Sequence, residues 1–556
     1  MNTKNYIVFF VIMCLGIFAS CNDYLGFEKP GQILLEDAFI TSDDAIASVT
    51  AAYVPLMWEF NTGAGGTYFP EWWIGDVCSD DALKGGETVT GDMAMVYSLE
   101  NFKTESDNTV LYQFYRAPYV GIMRCNVVFE NVPLMENSVF TSTPGLRERI
   151  LGEAYFLRAF YYFRLVRVFG GVPWIDRVIK IQEDWKQPRA TEQEIYEHIY
   201  ADLQEAIRLL PNKSGYKVTD AGRATKGAAR ALLMKAYMNN RLYDLAKLQA
   251  DSIINVGPDA GQYTLTPEYK HIFTIEAENN SESVFETQYM VEATSDYGQG
   301  VGYTRGTFAV VMTRPRWASV EGWAFNRPTQ ELYNEFEPDD PRLDAAIMLP
   351  GLADLGGNDF SSLKGTINDY MGNFYTARKY AWTAEDLNPD GSYYFFKLEH
   401  HTRGPVNRRE IRYSDVLLMY AEACCKASTP DYGQAKWALE KVRARARGGN
   451  AGILPEFPNY RGYQNTPDDL YKAIQHERRV ELAMEGHRWF DLKRWGILAE
   501  TMRAYKEENQ RLRPVIASHM ADFVKGKHEL FPIPLQERDL NSPMSQNPGY
   551  DGAPIP

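Results

Sequence analysis

Residues Glu153–Pro173, EAYFLRAFYYFRLVRVFGGVP, decide the fold. Helix formers Glu153, Ala154, Leu157, Arg158 and Ala159 open the stretch. Tyr155, Phe156, Phe160, Tyr161, Tyr162, Phe163 and Phe169 then fall on every side of the helix rather than on one stripe. A helix that is apolar all round is a buried helix, so the bulk of the protein must pack around it. Its end is legible as well: Gly170 and Gly171 supply a left-handed C-cap, and Pro173 cannot continue the ladder. Arg158, Arg164 and Arg167 fit such a helix only with their stems along apolar neighbours and their heads on carboxylates or carbonyls. Buried charge must be paired whatever its use, which favours a structural role for these arginines over a catalytic one.

Working outward, a helix is predicted from Ala38 to about Phe60, with Thr41, Ser42, Asp43 and Asp44 as N-cap and first turn, and another from about Asn108 to Asn131. Thr191 and Glu194 form a capping box for a helix that closes at Leu209-Leu210-Pro211. Residues Gly222–Asn255 read as a helical pair of tetratricopeptide length, joined at Asn239-Asn240-Arg241, and Ile411–Ala446 as a second copy. Such pairs cannot bury their faces alone, which predicts a stacked solenoid. Between the copies, from about Pro258 to Asn407, glycines, prolines and short alternating runs replace helical periodicity. The fold class is therefore mostly α, a tetratricopeptide-like solenoid of helical pairs decorated by a long loop-rich region with short strands. One domain over 21–556 is expected, with scaffold at 38–257 and 408–512, ligand-binding loops at 258–407 and a closing segment at 513–556.

The 556 residues carry a formal net charge of −15, which repels phosphate backbones and disfavours nucleic acid as a partner. Aromatics make up 13% of the chain, with 35 Tyr and 11 Trp, more than a core strictly needs, so some belong to a recognition surface. The six cysteines show no metal spacing, no EF-hand spacing supports a calcium site, and no cofactor is expected. Cys78 and Cys125 could form a bridge or remain free. Lys4 and the apolar run Tyr6–Ala19 form an export signal over residues 1–20 that is too short to span a bilayer comfortably. Phe18-Ala19-Ser20-Cys21 resembles a bacterial lipobox, although Phe18 stands where Leu is usual. Cys21 would be the acylated anchor, the alternative being ordinary secretion.

Two signatures carry a family resemblance. Arg158-Ala159 with Tyr162, Phe163, Leu165, Val166, Arg167 and Phe169-Gly170-Gly171-Val172-Pro173 is similar to the hallmark helix of SusD/RagB-type outer-membrane nutrient-binding lipoproteins. Glu477, Arg478, Arg479, Glu481, Leu482, Glu485, Gly486, Arg488, Asp491, Leu492, Arg494, Trp495 and Gly496 resemble its second, longer signature. Arg412–Ala423, Leu530–Pro534 and Gln546–Tyr550 match further segments, so the resemblance runs through the mature chain and is weakest in the central loops. Glu477, Glu481 and Glu485 lie four apart on one helical row, where like charges need cations, which Arg478, Arg479, Arg488 and Arg494 are expected to provide locally. The row does not suit a paired-carboxylate glycosidase, whose two acids face each other across a cleft.

The resemblance implies a non-catalytic protein, lipid-anchored and exposed on the outer membrane, that binds glycan and hands it to a SusC-like TonB-dependent transporter. Peptide binding on the same architecture, a helical glycan-cleaving enzyme and a tetratricopeptide scaffold for protein partners are the alternatives. Sugars need exposed rings flanked by polar groups. Trp72, Trp73 and Asp76 in the first Gly/Trp loop are candidate ligand-binding residues, with Asp80 and Asp81 close by. Tyr297, Tyr303, Arg305, Trp317 and Trp323 are candidates from the central region, where family members carry ligand-contacting aromatics.

Overall fold

The computed structural model describes residues 38–61, 67–256, 260–290, 306–314, 316, 322–348, 354–355, 358–359, 370–380 and 403–552. Cys21, Tyr297, Tyr303, Arg305 and Trp317 lie outside them. Helix α1 (Ser42–Tyr53) opens on a capping box in which Thr41 Oγ1 accepts the Asp44 amide and the Asp44 carboxylate accepts the Thr41 amide at 2.7 Å. It stops short of Phe60 because Pro55 lacks an amide hydrogen and starts a tighter turn over Val54–Met57. Strand β1 (Ala82–Gly85) precedes α2 (Thr109–Asn131), whose first amides, on Val110 and Leu111, are capped by Asn108 at 3.0 and 3.2 Å.

Helix α3 (Leu146–Phe169) contains the deciding stretch, buried from Phe156 to Phe169 on all faces and packed by α1, α2 and α4 (Glu192–Leu209). Its arginines are paired as a buried charge requires. Arg158 holds Asp202 at 2.8 and 2.7 Å beneath the Phe129 ring, while Arg164 and Arg167 both hold Glu71. Burial pushes the Glu71 carboxyl up, but the two guanidiniums override it and hold it at about 2. The end of α3 corrects the expected left-handed cap. Gly170 has φ +70° but ψ −138°, an extended conformation that only glycine adopts readily, and Gly171 is required because a Cβ there would collide with the Ala190 carbonyl.

Helices α5 (Lys226–Asn239) and α6 (Tyr243–Ile254) form the first predicted pair. The central region adds short elements: β2 (Ser283–Thr287), β3 (Phe325–Pro328), α7 (Gln330–Glu335), β4 (Ile347–Met348), β5 (Thr376–Ala377) and β6 (Arg408–Arg412). They form two-stranded antiparallel ladders, β1 with β3, β2 with β6 and β4 with β5. Helices α8 (Tyr413–Lys426) and α9 (Tyr432–Arg447) are the second pair, and α8 packs directly on α6. The seam is polar as well as apolar, with Tyr420 Oη donating to Asp251 at 2.8 Å and Lys235 Nζ to Asp415 at 3.0 Å. The two repeats thus stack although the whole central region separates them in the chain. Helices α10 (Pro467–Glu481), α11 (Arg488–Trp495) and α12 (Leu498–Leu512) follow, α10 lying against both α8 and α9. Cys78, Cys125, Cys424 and Cys425 are all buried free thiols, so the possible Cys78–Cys125 bridge does not form.

The acidic row of the second signature is neutralised differently from expectation. Its cations come from afar: Glu477 takes Arg342 and Arg443, Glu481 takes Arg412 and Arg445, and Glu485 takes Lys379 and Arg412, at 2.5–3.0 Å. The local arginines serve other acids, Arg478 binding Asp415 and Asp491, Arg479 and Arg488 binding Asp80, and Arg494 binding Glu422. The row itself is broken, because α10 ends at Glu481 and the chain then turns through Met484 at φ +61°. Almost every member is sealed from solvent, so removing one cation strands several charges. Arg412→Ala is expected to lower unfolding free energy by about 3–5 kcal/mol. Arg412→Lys should recover little of that loss, because an ammonium cannot reproduce the fork. Urea titration followed by circular dichroism checks both.

Candidate ligand-binding site

The first loop is not the exposed ring platform expected of it. Trp73 is fully buried, its indole N–H donating to the Tyr68 carbonyl at 3.0 Å and its ring standing edge-on to Phe325. Trp72 is 6% exposed and tilts against Trp73 at 4.1 Å. Asp76 is sealed too, accepting the Gly486 amide at 2.8 Å and the Asn326 side-chain amide at 3.1 Å. Asp80 and Asp81 are engaged by Arg488 and Arg479. Gly75 lies so close to Gly486 that a Cβ would collide with its carbonyl. This segment is therefore a plug that joins the early chain to the second signature, and its tryptophans are core.

Trp323 is half-buried at the edge of the core, and its backbone N–H donates to the Val311 carbonyl at 2.8 Å. The next residue, Ala324, donates to Arg314 at 2.9 Å, so the two ends of the stretch around 317–321 are held together. Glu59 does the same for 291–305. Its buried carboxylate accepts Tyr289 Oη at 2.7 Å, Thr307 Oγ1 at 3.0 Å and the Phe308 amide at 3.1 Å, with Arg408 at 3.5 Å. Thr307 and Gly404 exchange backbone hydrogen bonds of 2.9 Å, tying the end of 291–305 to the end of 381–402. On the other side of 381–402, Lys379 Nζ sits 2.5 Å from Glu485 and Tyr380 packs with Ala309, Val310 and Val406. After 360–369 the chain is fastened to β3: Arg327 donates to the Tyr375 and Asn373 carbonyls at 3.0 and 2.7 Å, and Asn373 donates to Pro328 at 2.8 Å.

The ends of four central stretches thus converge on one buried floor built from Glu59, the β1–β3 ladder and the Ala309–Val310–Tyr380–Val406 cluster. Fixed ends lower the entropy a binding loop must lose. Such a floor can position rings and polar groups for a ligand without taking part in chemistry. Tyr297, Tyr303, Arg305 and Trp317 lie outside the described residues, in stretches whose flanking residues are held on this floor, and Trp323 stands at its rim. Glu59, Arg327 and Asn373 were missed. Glu59 falls inside the segment predicted as helix and the other two in the loop-rich region, and only partners far along the chain reveal their roles.

Two family models match the chain, the SusD family over residues 281–550 and one described as starch-binding associating with outer membrane over 78–238. SusD-like protein P2 of Formosa agariphila is 27% identical over 98% of this chain and 100% of its own length. A solved laminarin-binding SusD-like protein is similar in fold, with TM-score 0.73 and 26% identity over 92% of this chain and 100% of that one. Surface glycan-binding protein A from Bacteroides fluxus has the same fold at TM-score 0.74, with 23% identity over 92% of this chain and 100% of that one.

Burial raises the Asp76 carboxyl to about 7. A raised folded-state value means that the folded protein keeps a proton the unfolded chain has lost, so stability falls as pH rises from about 4 to 7 and then levels off. The Asn326 amide that donates to Asp76 has an unpartnered Oδ1, so turning that amide over lets it accept the proton instead. Asp76→Asn is therefore expected to flatten the decline and to leave stability at pH 7 equal or higher. Denaturation at pH 5, 6, 7 and 8 measures this, and an unchanged slope would contradict it.

Proposed function

The chain belongs to the SusD family, and on that premise we propose that it is a non-catalytic glycan-binding lipoprotein of the outer membrane. It captures oligosaccharides on the loops of the central region and passes them to a SusC-like TonB-dependent transporter. The observation that carries the reading is the convergence of the central loop ends on one rigid buried floor, in a chain similar along its length to a laminarin-binding protein. Tyr297, Tyr303, Trp317 and Trp323 supply flat faces for sugar C–H surfaces, and Arg305 supplies donors for the hydroxyl edge. Raised pKa alone does not argue for hydrolysis: Asp76 and Glu100, both held near 7 by burial, are sealed where no glycoside reaches them, and the half-buried Glu278, also raised to about 7, accepts the Asn407 amide at 2.7 Å. Cys21 carries the lipid, and residues 22–30 are the tether that sets the protein on the cell surface.

Affinity electrophoresis of the mature chain in gels containing β-1,3-glucan, starch or casein tests the ligand class. Retention by a glucan without release of reducing ends is expected. Retention by casein alone, or measurable turnover, contradicts the reading. Trp317→Ala and Trp323→Ala are each expected to weaken binding about tenfold, or ~1.4 kcal/mol, with little change in melting temperature. Cys21→Ala should move the protein from the membrane to the soluble fraction, and continued membrane retention would remove the anchor from the account.

A further inference from the structure

The β1–β3 ladder has two ends. At Gly85 and Phe325 it adjoins the rim with Trp323. Beyond Ala82 and Pro328, at the other end, Asp80 and Gln330 border a cleft of about 530 Å3 between α7 and α12, also lined by Arg479 of α10 and Arg488 of α11. That size lies within the roughly 300–1,000 Å3 of ligand pockets. The lining is strongly polar; its buried charges are answered from within, while Glu500 and Glu508 at the exposed margin leave it net acidic. Arg488 holds Asp80 at 2.8 Å, Arg479 holds Glu335 at 2.7 Å, and Arg513 holds Glu331. A charged ligand would have to break such a pair and strand one member, whereas neutral hydroxyls can use the lone pairs and N–H groups left over.

Two further observations point to a hydroxylated ligand. Tyr505, on α12, lines the cleft and is only 5% exposed, yet its hydroxyl has no hydrogen-bond partner among the described residues. Burial pushes its phenol well up, so it stays a donor at any physiological pH. Leaving a buried hydroxyl unbonded is costly, and a ligand hydroxyl recovers that cost. On the α7 wall, Gln330 accepts Tyr375 Oη at 2.7 Å, and the Tyr375 ring stacks on Tyr333 at 5.2 Å with planes 16° apart. Both rings are half-buried, and through Gln330 they fix one polar group of the lining in place.

We propose that this cleft is a second saccharide site, separate from the central loops, which takes a neutral sugar and bonds one of its hydroxyls through Tyr505. The class of sugar rests on the glycan reading above; the place does not. Calorimetry of the mature chain with maltohexaose and with laminarihexaose tests it, using Thr501→Trp to fill the cleft, Tyr505→Phe to delete only the hydroxyl, and Trp323→Ala on the loop side. The expected result is two bound oligosaccharides per chain. Thr501→Trp should leave one, Tyr505→Phe should weaken one site about tenfold, and Trp323→Ala should weaken the other. If Trp323→Ala alone affects binding and both cleft variants behave as wild type, the cleft proposal fails and the loop reading stands. If only the cleft variants matter, the loop reading fails and the cleft stands. Absence of binding by either oligosaccharide overturns both. Tyr505→Phe keeps the ring in place, so the test survives if Thr501→Trp does not fold.

Discussion

The structure depends on one constraint, that the buried acids of the second signature must meet cations supplied by distant segments. Glu477, Glu481 and Glu485 are not neutralised from within the signature, because Arg478, Arg479, Arg488 and Arg494 are already taken. Arg342 and Lys379 arrive from the central region, Arg412 from β6, and Arg443 and Arg445 from α9. Burial alone would raise Glu481, yet the surrounding guanidiniums hold it at about 2. Each ion is costly to bury without its partner. The arrangement therefore joins elements that hydrophobic packing alone would leave free to slide.

The same constraint reaches the loops. Lys379 stands immediately before the 381–402 stretch, and Arg412 ends the strand that pairs with β2. Asp76 and Gly75 bind the Trp72–Trp73 plug to Gly486 in the turn that follows Glu485. Beside them, Glu59 gathers Tyr289, Thr307 and Phe308. The helical scaffold and the central region are thus one polar and apolar fabric rather than a platform with appendages.

Local signals were legible because local physics produces them. The all-round apolar helix at Phe156–Phe169, the caps at Thr41 and Thr191 and the two helical pairs all follow from spacing and from residues that satisfy free amides. What spacing cannot carry is the identity of a partner hundreds of residues away. The arginines nearest the acidic row looked like its counter-ions and were not. Trp72 and Trp73 looked like a sugar platform because they sit among glycines; in the fold Gly75 lets the backbone pass close to Gly486, and the two rings pack against each other in the core. Glycine next to tryptophan signals close approach as readily as exposure.

A crystal structure of the mature chain with a bound oligosaccharide tests the central claim most directly. The account predicts sugar rings against residues 291–305 and 317–323, with the helical body and the floor at Glu59 unchanged from the unliganded state. A loop region empty of sugar, or a ligand seen only as hydrolysed fragments, would contradict it.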